Sequence, residues 1–254
     1  TTEIYTLSLH DALPIYSGNT EESISAFLQA VNRRCKIIAF STGGKLEELC
    51  SAHNLPFIKL KKGYHPRFAL YLITFTLIKI FEKLGFIKNQ SIFIDESIEL
   101  LKNKAKIYQE TRSLPLNLAL NLTGFTPIIY GAYEFNNSLA NRIKGQFNEN
   151  SKMHAFFNLL PEMNHNEIIG WETYSETICR LKVLYLVDVD MHQRIKVRFN
   201  VLEKLLLEKG AEIIKLESSE KNFGLRLIDQ IYLCDWMTYY LALSRKKDPA
   251  EIDY

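Results

Sequence analysis

Tyr16-Ser17-Gly18-Asn19-Thr20-Glu21-Glu22 opens the stretch whose order of elements decides the fold. Small hydroxyl residues and a glycine stand directly before a helical pattern that runs to about Asn32, so the segment reads as a turn and N-cap. Cys35 to Thr42 (CKIIAFST) follows, a compact apolar run bounded by Gly43-Gly44, and predicts a buried strand. Lys45 to His53 predicts a helix, Phe57 to Leu60 a second short strand, Gly63 to Arg67 a loop, and Phe68 to Leu84 a long helix. From Asn89 the alternation resumes. Helical periodicity runs from Ile92 to Arg112, from Asn136 to Glu149, from His192 to Lys209 and from Gly224 to Arg245. Strand patterns run from Thr126 to Ala132, Arg180 to Val187 and Ala211 to Leu216. Strands alternating with helices imply parallel sheets covered on both faces, hence an α/β fold of two units with no obvious linker between them.

Composition narrows the class. The 254 residues are 47% hydrophobic and 24% charged, ordinary for a soluble globular protein with a sizeable core. A net charge of +2 gives no footprint for nucleic acid or for an anionic membrane. The longest apolar stretch, Phe68 to Phe81, carries Lys79 and is too short to span a bilayer, so a buried helix is expected. Cys35, Cys50, Cys179 and Cys234 stand far apart with no CxxC pair, unlike zinc sites or dense disulfide frameworks. Buried free thiols are expected, which fits a reducing cytoplasm.

The two ends differ from the rest. Residues 2–15 (TEIYTLSLHDALPI) lack the basic start and apolar centre of a signal peptide and resemble a translated sequencing-library adapter. Residues 1–15 are expected to be a foreign segment outside the fold, so His10 and Asp11 carry no functional weight. Asp248-Pro249-Ala250-Glu251 reads as the opening of a helix cut short at Tyr254.

Some residues invite chemistry directly. Ser17, Gly18, Asn19 and Thr20 precede a helix, where backbone N–H groups, hydroxyls and the positive end of the helix dipole suit a phosphate. Ser and Thr also cap helices everywhere, so this alone decides nothing. Tyr130-Gly131 reads as a strand end where ligands bind in open α/β sheets, or as a simple turn. Asp188 and Asp190 suggest a metal pair at first sight, but DVD before a helix reads better as a turn and N-cap, and no metal is expected.

YSGNTEE at 16–22 followed by STGGKLEELC at 41–50 resembles the sugar isomerase (SIS) fold. More narrowly, it resembles the bifunctional phosphoglucose/phosphomannose isomerase family. KKGYHPRFAL at 61–70, NRIKGQFNENSK at 141–152, PEMNHNEIIGW at 161–171 and DWMTYYLALSRKKDP at 235–249 continue the likeness in order. The resemblance implies two SIS subdomains, each a parallel sheet between helices in three layers. The first, residues 16–88, would be incomplete, and the second, residues 89–254, would lack the end of its C-terminal helix. It implies interconversion of glucose 6-phosphate and mannose 6-phosphate with fructose 6-phosphate through a cis-enediol(ate), without metal or other cofactor. Glu149 in NENSK matches the family's base. It also reads as a glutamate ending a helix, although an acid there opposes the helix dipole. His165 matches the ring-opening histidine, which in the family reaches the site from a neighbouring subunit, implying a homodimer. Otherwise it is a surface histidine. Arg67 matches the arginine that stabilises the enediolate, or is an exposed arginine without a role. Thr238 matches a small hydroxyl position linked to acceptance of both C2 epimers, and Arg245 a basic position two helical turns further on. As plain structure they are a helix residue and a favourable cation at a helix end. Glu167 reads as structural.

The pattern departs from the family at its start, where further strands and a serine-bearing loop are missing. Ile15 stands where a phosphate-holding serine is expected. The chain as written is therefore expected to be poorly soluble and weak or inactive, its activity belonging to an unbroken parent. An inactive fragment and a non-catalytic SIS module that senses a sugar phosphate are alternatives. The module has no need for Arg67, Glu149 and His165 together. An amidotransferase-type SIS domain is a third, against which the NENSK and MNHNE motifs argue.

Overall fold

The computed structural model describes residues 16–251; the expected foreign segment, residues 1–15, and residues 252–254 lie outside the described residues. Two compact units divide between Gln90 and Ser91.

The first unit runs α1 (Glu21–Asn32), β1 (Ala39–Ser41), α2 (Gly44–Ala52), β2 (Phe57–Lys59), a 3-10 turn (Pro66–Phe68) and α3 (Leu70–Lys83). β1 and β2 pair in parallel, Ala39 opposite Phe57 and Ser41 opposite Lys59. Only three residues of the apolar run at 35–42 become strand, because β2 offers no longer partner. The Ala39 N–H already bonds to the carbonyl of Pro56, a residue that has no N–H to continue the ladder. Phe27 of α1 packs with Ala39, Leu46 and Cys50. The expectation of a buried helix at 68–81 is corrected: within α3 only Ile80 is buried. Tyr16, Leu60 and Ala69 engage Leu72 and Ile73, and two three-residue strands have too little surface to cover the wide apolar face of this helix.

The second unit runs α4 (Ser91–Tyr108), α5 (Leu114–Asn121), β3 (Thr126–Ala132), α6 (Tyr133–Glu149), β4 (Phe156–Leu160), 3-10 turns at Glu162–His165 and Glu167–Trp171, β5 (Leu181–Leu186), α7 (Gln193–Glu208), β6 (Glu212–Leu216) and α8 (Phe223–Ser244). The sheet order is β4-β3-β5-β6, parallel throughout. Side chains alternate across it. Ile129, Leu184 and Leu186 face Ala119, Leu122, Ile143, Phe147, Met237 and Leu241 from α5, α6 and α8. Ile128, Tyr130, Val183 and Tyr185 face Phe199, Leu202 and Leu206 of α7, together with Trp171. Each fully buried aliphatic or aromatic side chain contributes roughly 1.5–3 kcal/mol, so this three-layer core dominates the unit's stability.

Two elements escaped the sequence reading. α5 is eight residues long with Pro115 in its first turn, too short for periodicity to show. β4 (FFNLL) starts a few residues after a helix end and lacks polar alternation. A third expectation is corrected at the C-terminus: no helix forms from Asp248 to Glu251 among the described residues.

The connections fix which edge of the sheet each segment reaches. α6 leaves the C-terminal end of β3 and runs back, so Glu149 lies at the edge where β4 begins. α8 follows β6 in the same sense and ends at that edge too. β4 then carries the chain to the opposite edge, where Glu162–His165 stands.

Asp188, just after β5, is not an N-cap; His192 caps α7, its Nδ1 accepting from the Arg194 N–H. Asp188 turns the chain by accepting from the Asp190 N–H at 2.9 Å. It also takes two hydrogen bonds from buried Arg226 of α8, Nε at 2.8 Å and Nη2 at 3.0 Å, and Arg226 reaches Asp190 as well. Burial pushes the Asp188 carboxyl up, but the bonds from Arg226 and the Asp190 N–H outweigh it and hold the group below the usual carboxylate range. A depressed carboxylate contributes stability above its unfolded-state pKa, and that stability is lost as pH falls through the folded value. Asp188→Asn is expected to cost about 1.5–3 kcal/mol near neutral pH. In urea melts at several pH values the gap to wild type should close as the solution is acidified below the carboxylate range. A gap that stays constant to low pH would show that the ion pair is not its source.

Candidate functional site

In the first unit two loops meet before two helices. Thr20 stands at the N-cap of α1, yet its side chain caps none of the helix N–H groups, and Gly43 opens α2 likewise without a side-chain cap. The loops are joined by their backbones. The Thr42 N–H donates to Tyr16 O at 2.8 Å, the Leu46 N–H to Gly18 O at 3.0 Å, and the Lys45 N–H to Asn19 Oδ1 at 2.9 Å. Buried Ser41 accepts from the Gly43 N–H and donates to Gly43 O at 2.8 Å. Gly18 is buried at φ +79° against this second loop, whereas Ser17, Asn19 and Thr20 are exposed. Two helix N-termini beside exposed hydroxyls make a cradle suited to an anion. Ser41 to Gly44 belong to that cradle; the sequence carries them in a motif of the family resemblance but gives them no site role. Their signal was a glycine pair directly after a strand and before a helix.

Arg67 lies in the turn Pro66–Phe68 and is 7% exposed, so it is not a surface arginine. Its guanidinium sits over the Phe68 ring, 4.8 Å from the centroid, which with the rigid Pro66 limits its freedom.

In the second unit Glu149 is the last residue of α6, and it is exposed. The residues after it are not: Asn150 and Ser151 have no solvent exposure at all. Asn150 Nδ2 donates to Thr238 Oγ1 at 3.1 Å, and Ser151 Oγ to the Thr238 carbonyl at 2.8 Å. Arg245 Nε donates to Ser151 O at 3.0 Å, and Asn148 Nδ2 to Met153 O at 2.8 Å. Glu149, Thr238 and Arg245 are thus brought to one edge of the sheet. Alongside them, Asp235 of α8 is half-buried between Arg142 and Gln146 of α6. Burial pushes its carboxyl up, against the pull of Arg142 and Gln146.

His165 is exposed and stands at the other edge, beyond the length of β4, about 13 Å at the usual rise of about 3.3 Å per residue. Its turn is anchored by Glu167. Tyr130 OH donates to Glu167 Oε1 at 2.7 Å and Asn158 Nδ2 to Oε2 at 2.6 Å. Tyr130 and Asn158 are opposite residues on β3 and β4, so one cross-strand pair grips both oxygens. Trp171 Nε1 completes the group by donating to Tyr130 OH at 2.9 Å. Burial, then the Glu167 charge, push the Tyr130 phenol up and keep it a donor. Tyr130-Gly131 is therefore interior strand and neither a turn nor an exposed site wall.

A family model for the bacterial phospho-glucose isomerase C-terminal SIS domain matches residues 112–254. A bifunctional phosphoglucose/phosphomannose isomerase of Caldicellulosiruptor bescii is 34% identical over 241 residues, covering 93% of this chain and 71% of that protein. One of Aquifex aeolicus is 33% identical over 243 residues with the same coverage. Among solved structures, tagatose-6-phosphate ketose/aldose isomerase from Escherichia coli superposes with a TM-score of 0.66. It is 16% identical, with 94% of this chain and 71% of that one covered, a likeness of fold alone. On sequence and fold together, the chain belongs to the bifunctional phosphoglucose/phosphomannose isomerase family.

Proposed function

We propose that this protein interconverts glucose 6-phosphate and mannose 6-phosphate with fructose 6-phosphate. The observation that carries the reading is an exposed carboxylate, Glu149, on a turn whose next two residues are fully buried and hydrogen-bonded, in a chain of this family. Aldose–ketose isomerisation needs one base that removes a proton from C2 and returns it to C1. The C2–H electron pair becomes the C1=C2 bond of an enediolate as the C1 carbonyl pair moves onto O1; the O2 hydroxyl proton then passes to O1, the O2–H pair becomes the C2=O bond of the ketone, and the C1=C2 pair takes the base's proton at C1. A carboxylate can take and return that proton. Arg67 supplies fixed positive charge for the enediolate, and Ser17, Gly18, Asn19 and Thr20 hold the 6-phosphate at the N-terminus of α1. Thr238 and Arg245 serve the Glu149 edge through the turn they bind.

His165 is assigned to ring opening, where a group that exchanges protons near neutral pH is needed. One chain holds Glu149 and His165 at opposite edges of a sheet, which favours a homodimer in which each His165 serves its partner's site. The expectation of buried free thiols holds for Cys50 and Cys234 and is corrected for Cys35, which is half-buried, and Cys179, which is exposed; four free thiols accord with a cytoplasmic setting. Among the described residues no helix is long and apolar enough to cross a membrane.

The test is proton exchange, which registers turnover too slow for a coupled assay. In D2O with fructose 6-phosphate, NMR should show both aldose 6-phosphates appearing with deuterium at C2. Absence of both products and of exchange at C1 sinks the proposal for this chain, and loss of sugar-phosphate binding as well identifies the inactive fragment. Sugar-phosphate binding without exchange would instead identify a sensing module.

A further inference from the structure

We propose that Tyr16 is a positioning residue for Arg67: its hydroxyl fixes the turn that carries the guanidinium to the loop that holds the phosphate. The inference rests on the roles proposed above for Ser17 to Thr20 and for Arg67. Tyr16 stands directly before the hydroxyl loop and is buried. Its own hydroxyl is used in both directions, donating to Lys61 O at 2.8 Å and accepting from the Tyr64 N–H at 3.1 Å. One phenol thus closes the loop between β2 and the Pro66–Phe68 turn, from 45 and 48 positions away in sequence.

A buried phenol with a hydrogen-bond partner is ordinary and by itself means little. What is particular here is the set of segments that one residue joins. The Tyr16 carbonyl accepts from Thr42 and so ties the hydroxyl loop to the glycine loop. The hydroxyl holds Lys61 and Tyr64, and the segment it bridges lies against that same glycine loop. The Leu60 N–H donates to Ser41 O at 2.8 Å, and Lys62 Nζ lies 3.7 Å from where a Cβ on Gly43 would stand. The Tyr16 ring shares an apolar cluster with Leu60 and Ala69. Tyr64 and Ala69 flank His65-Pro66-Arg67-Phe68, so Tyr16 serves that segment at both ends, by its hydroxyl and by its ring. Gly63, at φ +106°, lies between the two bonded residues, where the chain has little stiffness of its own.

The phosphate and the enediolate oxygens sit at opposite ends of one six-carbon chain. Binding at the phosphate therefore helps at C1 and C2 only if the cation stands at a matching distance from the cradle. A fixed charge aimed at a developing oxyanion is effective because it need not move into place. A misplacement of about 1 Å costs on the order of 100-fold in rate. Tyr16→Phe keeps the ring and its cluster and removes both bonds to the loop.

The experiment measures kcat and KM for fructose 6-phosphate by C1 exchange in D2O, and inhibition by inorganic phosphate. Wild type, Tyr16→Phe, Arg67→Ala and the double variant are compared, with thermal melts as a folding check. Tyr16→Phe is expected to lower kcat about tenfold, with KM and phosphate inhibition within about twofold of wild type. Arg67→Ala should lose on the order of 100-fold in kcat. Adding Tyr16→Phe to it should cost less than about a further twofold, since a residue that acts through Arg67 then has nothing to position. Losses that multiply in the double variant overturn the inference. So does a Tyr16→Phe protein with wild-type kcat, or one whose only change is weaker phosphate inhibition, which would give the hydroxyl to the cradle. Should Tyr16→Phe fail to fold, the α-hydroxy analogue of tyrosine at position 64 turns the amide into an ester and deletes one N–H alone. It should show the same dependence on Arg67 with a smaller loss, and wild-type kcat in that protein overturns the inference. An Arg67→Ala protein as active as wild type overturns the reading on which the inference rests, and the inference with it.

Discussion

Glu149→Gln lowers proton exchange at C1 and C2 by roughly a thousandfold while leaving sugar-phosphate binding near wild type; this is the largest effect on chemistry expected of any single substitution here. Glutamine keeps the size and the hydrogen-bonding reach of the side chain and removes only its ability to take a proton. The backbone after it, held by Asn150 and Ser151, is unaffected because neither tether involves the Glu149 side chain. A thousandfold loss corresponds to about 4 kcal/mol of transition-state stabilisation, the range general-base catalysis supplies. Isothermal titration with fructose 6-phosphate, beside the exchange measurement, separates the two quantities. Glutamine at full activity would sink the mechanism.

Gly18→Ala is expected to have the largest effect on binding. At φ +79° an alanine is strained, by about 1–2 kcal/mol for a left-handed residue. Its Cβ would also fall 1.9 Å from the Gly43 carbonyl oxygen and 2.7 Å from Ser41 Oγ. The first of these is backbone that cannot rotate away. Gly43 O is itself held by Ser41 Oγ, so the two loops must separate to make room. Separation pulls apart the N-termini of α1 and α2, and the backbone bond from Leu46 to Gly18 O breaks with it. The loss of one or two charge-assisted contacts to the phosphate, at about 1.5–3 kcal/mol each, weakens fructose 6-phosphate by roughly tenfold or more. Inorganic phosphate should weaken in step. If Gly18→Ala binds fructose 6-phosphate as wild type does, the phosphate lies elsewhere.

Much of this protein is readable from local pattern. α1 and β3 fall within the stretches that periodicity marks out for them, because a helix capped by small hydroxyl residues and a seven-residue apolar run each report their own conformation. β1 is not readable at its true length, since a strand is as long as its partner and β2 lies beyond an intervening helix. α3 reads as buried because its apolar run is long, yet burial depends on what surface the rest of the unit can offer it. Glu167 reads as structural, and it is. That its two oxygens are gripped by Tyr130 and Asn158 follows only from the register of β3 against β4.

The amino-acid sequence by itself determined the alternation of strands and helices, the hydroxyl-rich loop before α1, and the kinds of residue available for acid–base work: one carboxylate at a helix end, one histidine among asparagines, one arginine behind a proline. Tertiary structure alone decided that Thr238 and Arg245, about ninety residues on, hold the turn after Glu149, and that Asp188 belongs to an arginine on α8. It also decided that Glu149 and His165, sixteen positions apart, stand at opposite edges of one sheet. The physical reason is the same in each case. Side-chain chemistry and local periodicity are properties of neighbours along the chain, whereas which groups meet is set by the direction of each strand and by the packing of helices whose partners lie far away in sequence.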